Sequence, residues 1–229
     1  MTCLLGVRAR WRTDSLGEFY CPGCGGDRNH RRQHGRRWFR LFGAPVLPLG
    51  GSISCVQCTA CARRFPVEVL RAPTTARLGM LLRDAQYAIV IAVLGAGGTG
   101  SRAAREAACE AAREAGFEEY GEAQLLAALA ALGGLERPGA SEQEGRAAPL
   151  AGSDGSALQL RSALDPLTAH LAPQGLQRLL LVGARVALAD GPYRPAEREL
   201  LTAVGCSLRL TAEEIDSLLD AAAHTPHQN

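Results

Sequence analysis

Lysine is absent from this 229-residue sequence; all 25 basic residues are arginine. In a chain so rich in alanine and glycine, that bias reads as base composition rather than function. The absence still has consequences. The glycine-rich stretch Gly95-Ala-Gly-Gly-Thr-Gly100 lacks the Lys-Ser/Thr of a phosphate-binding loop, and it leaves a helical segment rather than a strand. Histidine is scarce too: there are five, two of them in the last six residues, and no His-Glu-x-x-His. No serine or cysteine sits in a nucleophile elbow, and no aspartate-rich 12-residue loop of the calcium-binding type is present. An enzyme is therefore the least expected class. No apolar run approaches the roughly 20 residues of a membrane span. The stretch Met1–Gly6 is too short for an export signal and arginines follow at once, so a cytoplasmic location is expected.

Composition and charge divide what is there. With 47% hydrophobic residues, the chain can bury one substantial core and one smaller unit. Residues 1–77 hold 13 arginines against four acids, a net +9, and the remainder holds 12 arginines against 19 acids, a net −7. Two domains of opposite sign follow.

Four of the eight cysteines form two Cys-x-x-Cys pairs, Cys21/Cys24 and Cys58/Cys61. The alternating Val7-Arg-Ala-Arg-Trp-Arg12 predicts a strand with one wet face, and Gly17-Glu-Phe-Tyr20 leads from it into Cys21-Pro-Gly-Cys24-Gly-Gly26. Such a turn aims two thiolates at one point, so two turns suit a structural zinc ion, Zn2+, at tetrahedral spacing. Without an export signal, metal is a better account of these cysteines than disulfides. Cys55 makes a competing pair with Cys58. The ribbon-like Phe65 and a strand expected over Pro66–Leu70 favour Cys58 with Cys61 and leave Cys55 as a strand residue. Ala62 stands where glycine is preferred. His30 and His34, in an arginine-rich loop, are expected to be solvated.

Between the pairs, Arg36, Arg37, Trp38 and Phe39 precede the apolar Leu41-Phe-Gly-Ala-Pro-Val-Leu-Pro-Leu49. Two readings stand here. Either the apolar segment packs over the ribbon while the arginines meet water or the acidic domain, or arginine and aromatic side chains together contact nucleic acid. The stretch resembles the insert of a bacterial zinc-ribbon family, in which a Trp-Phe pair precedes an apolar Pro-x-x-Pro turn.

The rest reads as helices. One long helix after Ala72-Pro-Thr-Thr75 buries Leu78, Leu81, Leu82, Ala85, Ile89 and Val93; Ser101 caps the next, to about Ala115; a third spans Tyr120–Leu132. Residues 136–156 are rich in Gly, Ala, Ser, Pro and charge, as a flexible linker is. Short helices are expected over Ala157–Leu164 and Pro166–Leu171, with Asp165 as the second one's cap. Then comes Leu176 to Leu219, read as helix, tight loop, helix, a stop at Gly205, and a third helix opened by the capping box Thr211-Ala-Glu-Glu214. Asp190 and Glu197 fall on the inward stripes on either side of the Gly191–Ala196 loop.

The run Val186-Ala-Leu-Ala-Asp-Gly191, followed by Pro195-Ala-Glu197 and Gly205, resembles the second half of a TerB-like domain, the all-helical module of bacterial tellurite-resistance proteins. With the cysteine turns read as a small β zinc ribbon (1–72), the resemblance implies that an all-α TerB-like domain of two degenerate helical halves follows it. These are residues 73–135 and 157–223, joined by the linker 136–156 and closed by a tail, 224–229. It implies an acidic face at Asp190 and Glu197 where a weak divalent cation could bind, and a role in tellurite or chemical-stress response. The first copy is eroded: aligning Gly98 with Gly191 puts Gly97 in place of the aspartate and Ala104 in place of the glutamate. The expected function is thus non-catalytic, with other proteins as partners, and a nucleic-acid-binding ribbon is the alternative.

Overall fold

The structure, a computed structural model, describes residues 5–41, 44–133 and 154–225. Its contacts divide the chain into residues 1–79 and 80–229. The division falls inside a helix, after Gly79, rather than at residue 72. Most of the linker read over 136–156 lies outside the described residues, as do 226–229 of the tail; residues 154–156 are helical.

In the first unit, β1 (Leu5–Cys21), β2 (Gly26–Leu41), β3 (Ala44–Cys58) and β4 (Arg64–Phe65) form an antiparallel meander, each strand pairing with its neighbours in sequence. The strand expected at residues 7–12 is thus part of a 17-residue one. Near the cysteine turns, one sheet face carries a small core. Phe19, Cys21, Val56 and Cys58 are buried there, and Phe65, Val67, Val69 and Leu70 pack on them. The strand expected over Pro66–Leu70 is instead a 3-10 turn, Val67–Arg71. Pro66 has no N–H to extend a ladder, and the turn delivers its three apolar side chains to that core.

The described part of the apolar segment, residues 46–49, does not fold over the ribbon. Paired with β2 as far as Leu41↔Ala44, it is held extended by the hairpin's own hydrogen bonds, and Val46, Leu47 and Leu49 stay 51, 60 and 40% exposed.

The unit ends at Gly79, inside the first turns of α1 (Thr75–Gly97). Asp27, three residues past the first cysteine turn, caps it from 48 positions upstream. Its carboxylate accepts the Thr75 N–H at 2.9 and 3.0 Å and the Thr75 hydroxyl. Those bonds, the hydroxyl's first, hold Asp27 below the usual carboxylate range. The cap therefore operates above that range and is lost as pH falls through the depressed value.

The second unit is helical: α1 continues, followed by α2 (Arg102–Glu114), α3 (Glu122–Gly133), α4 (Asp154–Thr168), α5 (Pro173–Ala187), α6 (Pro195–Ser207) and α7 (Ala212–His224). Residues 67–97 are long and apolar enough to cross a membrane, by length and composition. This qualifies the expectation that no segment approaches a span. The apolar side of α1, however, is spent on the helical core: Ala85, Ile89, Val90, Val93 and Leu94 are buried. Gly183 of α5 marks the crossing, since a Cβ there would come within 2.8 Å of both Ile89 and Leu201. Close helix approach at a small residue lets three apolar stripes interdigitate.

Two helix ends differ from expectation. Gly205 does not stop α6; it lies within the helix against Ile215, whose Cγ1 would be 2.5 Å from an added Cβ, and the chain turns at Arg209, with φ of 61°. Packing, not backbone freedom, is this glycine's use. Likewise α4 runs through Pro166 instead of breaking before it. The proline lies in the final turn, and Leu160, Leu164 and Leu167, buried on one stripe, hold the helix together. The caps at Ser101 and Thr211 form as read, each accepting the N–H three residues on at 3.3 Å.

Candidate metal centre and acidic turn

The two cysteine turns meet. The sulfurs of Cys21, Cys24, Cys58 and Cys61 lie within 4.8 Å of one another, the one group of three or more candidate ligands among the described residues. Cys21 Sγ is 3.8 Å from Cys61 Sγ, and Cys24 Sγ is 4.0 Å from Cys58 Sγ. A tetrahedral metal about 2.3 Å from each sulfur gives edges of about 3.8 Å. A disulfide needs about 2 Å, and all four are free thiols. The donor set thus fits a metal ion.

Backbone geometry explains the convergence. Cys24 and Gly25 both donate their N–H to the Cys21 carbonyl, at 3.1 and 2.9 Å, and the chain leaves through Gly25 with φ of 69°. The second turn repeats this exit at Ala62, with φ of 55°. An L-residue is strained there, which bears out the reading that glycine suits this position. Ala62→Gly is expected to raise stability by up to about 1 kcal/mol, measured as a higher denaturation midpoint at unchanged metal content; a lower midpoint would contradict it.

The thiols also differ electrically. Burial pushes Cys58 up, but N–H groups of Cys61 and Ala60 and contacts with Cys21 and Cys61 outweigh it and bring the thiol down to about 7. Burial and hydrogen bonds from the other three thiols push Cys24 up to about 12. Four crowded sulfurs cannot all ionise without a cation among them.

Cys55 is not part of the cage. It pairs with Gln33 while Cys58 pairs with His30, and the strand pleat turns residues an odd number apart to opposite faces. His30 corrects an expectation. It is 6% exposed rather than solvated, edge-on to Phe19 at 5.3 Å and close against Gly17. Burial, chiefly, lowers its pKa. His34 is half-exposed and contacts Asp14 at 3.0 Å and Ser54 at 3.1 Å.

The same pleat separates the four residues grouped as a contact surface. Arg36 and Trp38 lie on one face of β2, Arg37 and Phe39 on the other.

In the helical unit, α5 ends in a 3-10 turn, Leu188–Asp190, and Gly191 follows with φ of 137°. Glu197 is 3% exposed, and its Oε2 accepts the Arg194 N–H at 2.8 Å. Asp190 takes the Arg194 guanidinium at 2.8 Å. One arginine therefore serves both acids. The eroded copy is tied to the same place, because a Cβ on Gly97 would lie 2.0 Å from Glu197 Oε1. Glu197 presses on the helix where the second copy's pattern would put an aspartate. In the eroded copy the nearest acid in sequence past Ala104, Glu106, is exposed and pairs with Arg102. Two carboxylates already engaged make a poor site for a hard divalent cation, which wants six or more oxygens.

Sequence reasoning did not find the Asp27–Thr75 cap or the Gly97–Glu197 contact. A capping acid so far upstream leaves no local signal.

A family model described as tellurite resistance protein TerB matches residues 88–220, from the middle of α1 into α7. No curated protein and no solved structure matches the chain.

Proposed function

Since this chain belongs to the TerB family, we propose that it is a non-catalytic, zinc-binding member that serves tellurite or general chemical-stress response by metal sensing or by assembling with other proteins. The four-cysteine cage carried ahead of the family's helical domain supports this reading. A cage closed by four thiolates leaves no coordination position for water or substrate, the arrangement of a structural zinc and not of a catalytic one. A reducing, cytoplasmic setting keeps such thiols free to bind it. Cys21, Cys24, Cys58 and Cys61 would hold the ion, and its charge would stabilise four neighbouring thiolates.

Metal analysis of the purified protein tests the first half: one zinc per chain, removed by chelator, is expected, and iron or no metal would overturn it. Deleting the gene tests the second: the host should become more sensitive to tellurite or other chemical stress, and unchanged sensitivity would overturn the assignment.

The acidic turn serves the fold in this reading. Asp190→Asn should leave calcium and magnesium titrations identical to wild type. It should lower stability by about 0.5 kcal/mol, the scale of a partly exposed (i, i+4) ion pair. Micromolar cation binding abolished by the substitution would instead make the turn a metal site.

A further inference from the structure

We propose that one face of the β1–β3 sheet binds single-stranded nucleic acid, through Arg10, Arg12, Arg32 and Arg36 with Trp38 as the stacking surface. This goes beyond the stress-response reading and does not depend on it.

The face is defined by register. Arg10 stands directly opposite Arg36, Arg12 opposite His34, and Ser15 opposite Arg32, so these side chains share one side of the sheet. Trp38 follows Arg36 by two residues and lies on the same side. Beyond the core around Phe19 and Cys58, this side is thus a run of arginine ending at an aromatic. From Arg32 to Trp38 it extends about 20 Å along β2.

All four arginines are exposed, and none makes an ion pair among the described residues. The nearby acid, Asp14 at the bulge between Thr13 and Ser15, is engaged by His34. Like charges directly opposite each other destabilise a strand pair, so Arg10 against Arg36 is a cost that a bound anion removes.

The other side differs in kind. There Trp11 packs on Gly35 beneath the Arg64 guanidinium, 4.5 Å from the ring centroid, and Val7, Leu47, Leu49 and Ile53 are exposed. Of its arginines, Arg31 and Arg37 are separated by Gln33 and Gly35, and Arg64 is engaged on Trp11.

A row of cations at repeat distance beside an aromatic plane matches a polymer with regular phosphates and stackable bases. An acidic protein offers the charge without the bases. A membrane surface would call for exposed aliphatic groups among these four arginines, and the exposed Val7, Leu47, Leu49 and Ile53 lie on the other side.

The test uses the full-length, metal-loaded protein and a fluorescein-labelled oligothymidylate, with anisotropy read across a salt series. Binding should weaken with salt at a log–log slope near −3, for about four phosphate contacts at about −0.7 each. Arg10→Gln with Arg36→Gln should reduce affinity at least ten-fold and make the slope shallower by about 1.4. Trp38→Ala should weaken binding several-fold and Trp38→Phe restore most of it, while Arg37→Gln, on the other side, should bind as wild type does. Metal content measured on each sample separates loss of binding from loss of the cage. Absence of salt-dependent binding overturns the proposal, as does a double variant that binds like wild type. Phosphatidylserine vesicles or polyglutamate bound as tightly as the oligonucleotide, and equally by Trp38→Ala, would assign the face to another partner and overturn it too.

Discussion

Cys58→Ser should strip the metal and unfold the ribbon while the helices survive. The reason is the size of the ribbon's core. Among the described residues, four apolar side chains are buried in it with His30 against them, and Cys21 and Cys58 are two of those four. So little apolar surface cannot offset the conformational entropy of some 70 residues. A structural zinc contributes about 10–16 kcal/mol in apparent binding free energy, comparable with a domain's whole stability. Both tryptophans, Trp11 and Trp38, lie in the ribbon. Their emission should shift to the red in the variant, and far-UV circular dichroism should keep its helical signal. Cys61→Ser should behave alike, and Cys55→Ser should retain the metal. If Cys55→Ser releases the ion and Cys61→Ser does not, the cage has been assigned to the wrong sulfurs.

Gly97→Asp should be the most damaging single change in the helical unit, although it restores the acid that the second copy's pattern would place there. The added Cβ would begin 2.0 Å from Glu197 Oε1, where no atom fits. Its carboxylate would then lie beside one that is 3% exposed, so overpacking and like-charge repulsion act together. A loss of about 4 kcal/mol is expected, or roughly 8–16 °C in Tm. Gly97→Ala isolates the steric part. Combined with Glu197→Ala, it should cost less than the sum of the two single changes, since each relieves the other. Additive costs, or Gly97→Ala melting within a degree of wild type, would show that the helix and the glutamate are not in contact.

Much of this was legible in the sequence because it is local. The cysteine spacing defines the cage, and Cys55 can be excluded by counting along a strand, since it lies three positions from Cys58 and the pleat has a period of two. Ser101, Thr211 and Pro195 mark their helix starts by chemistry that needs no distant partner. The misreadings came where packing decides. Gly205 has the composition of a helix stop but serves as a socket for Ile215. Pro166 has that of a helix start but lies inside α4. His30 is surrounded in sequence by arginines, yet the strand turns it inward onto Phe19. Arg36 through Phe39 read as one cluster until alternation is applied to them. Gly97 looked like plain erosion because its reason, Glu197, is a hundred positions away.

The cap that Asp27 places on Thr75 bears on how the molecule is made. Every group that holds the ribbon together, from the four sulfurs to this carboxylate and the helix turn it closes, lies within the first 75 residues, and each strand pairs with a sequence neighbour. The ribbon can therefore take up its ion and fix the first turn of α1 while the ribosome is still translating the rest. The helical unit has no such early option. Ile89 cannot find Gly183, nor Gly97 its glutamate, until almost the whole chain has emerged. The amino-terminal part of α1 is thus anchored long before its other end has anything to pack against.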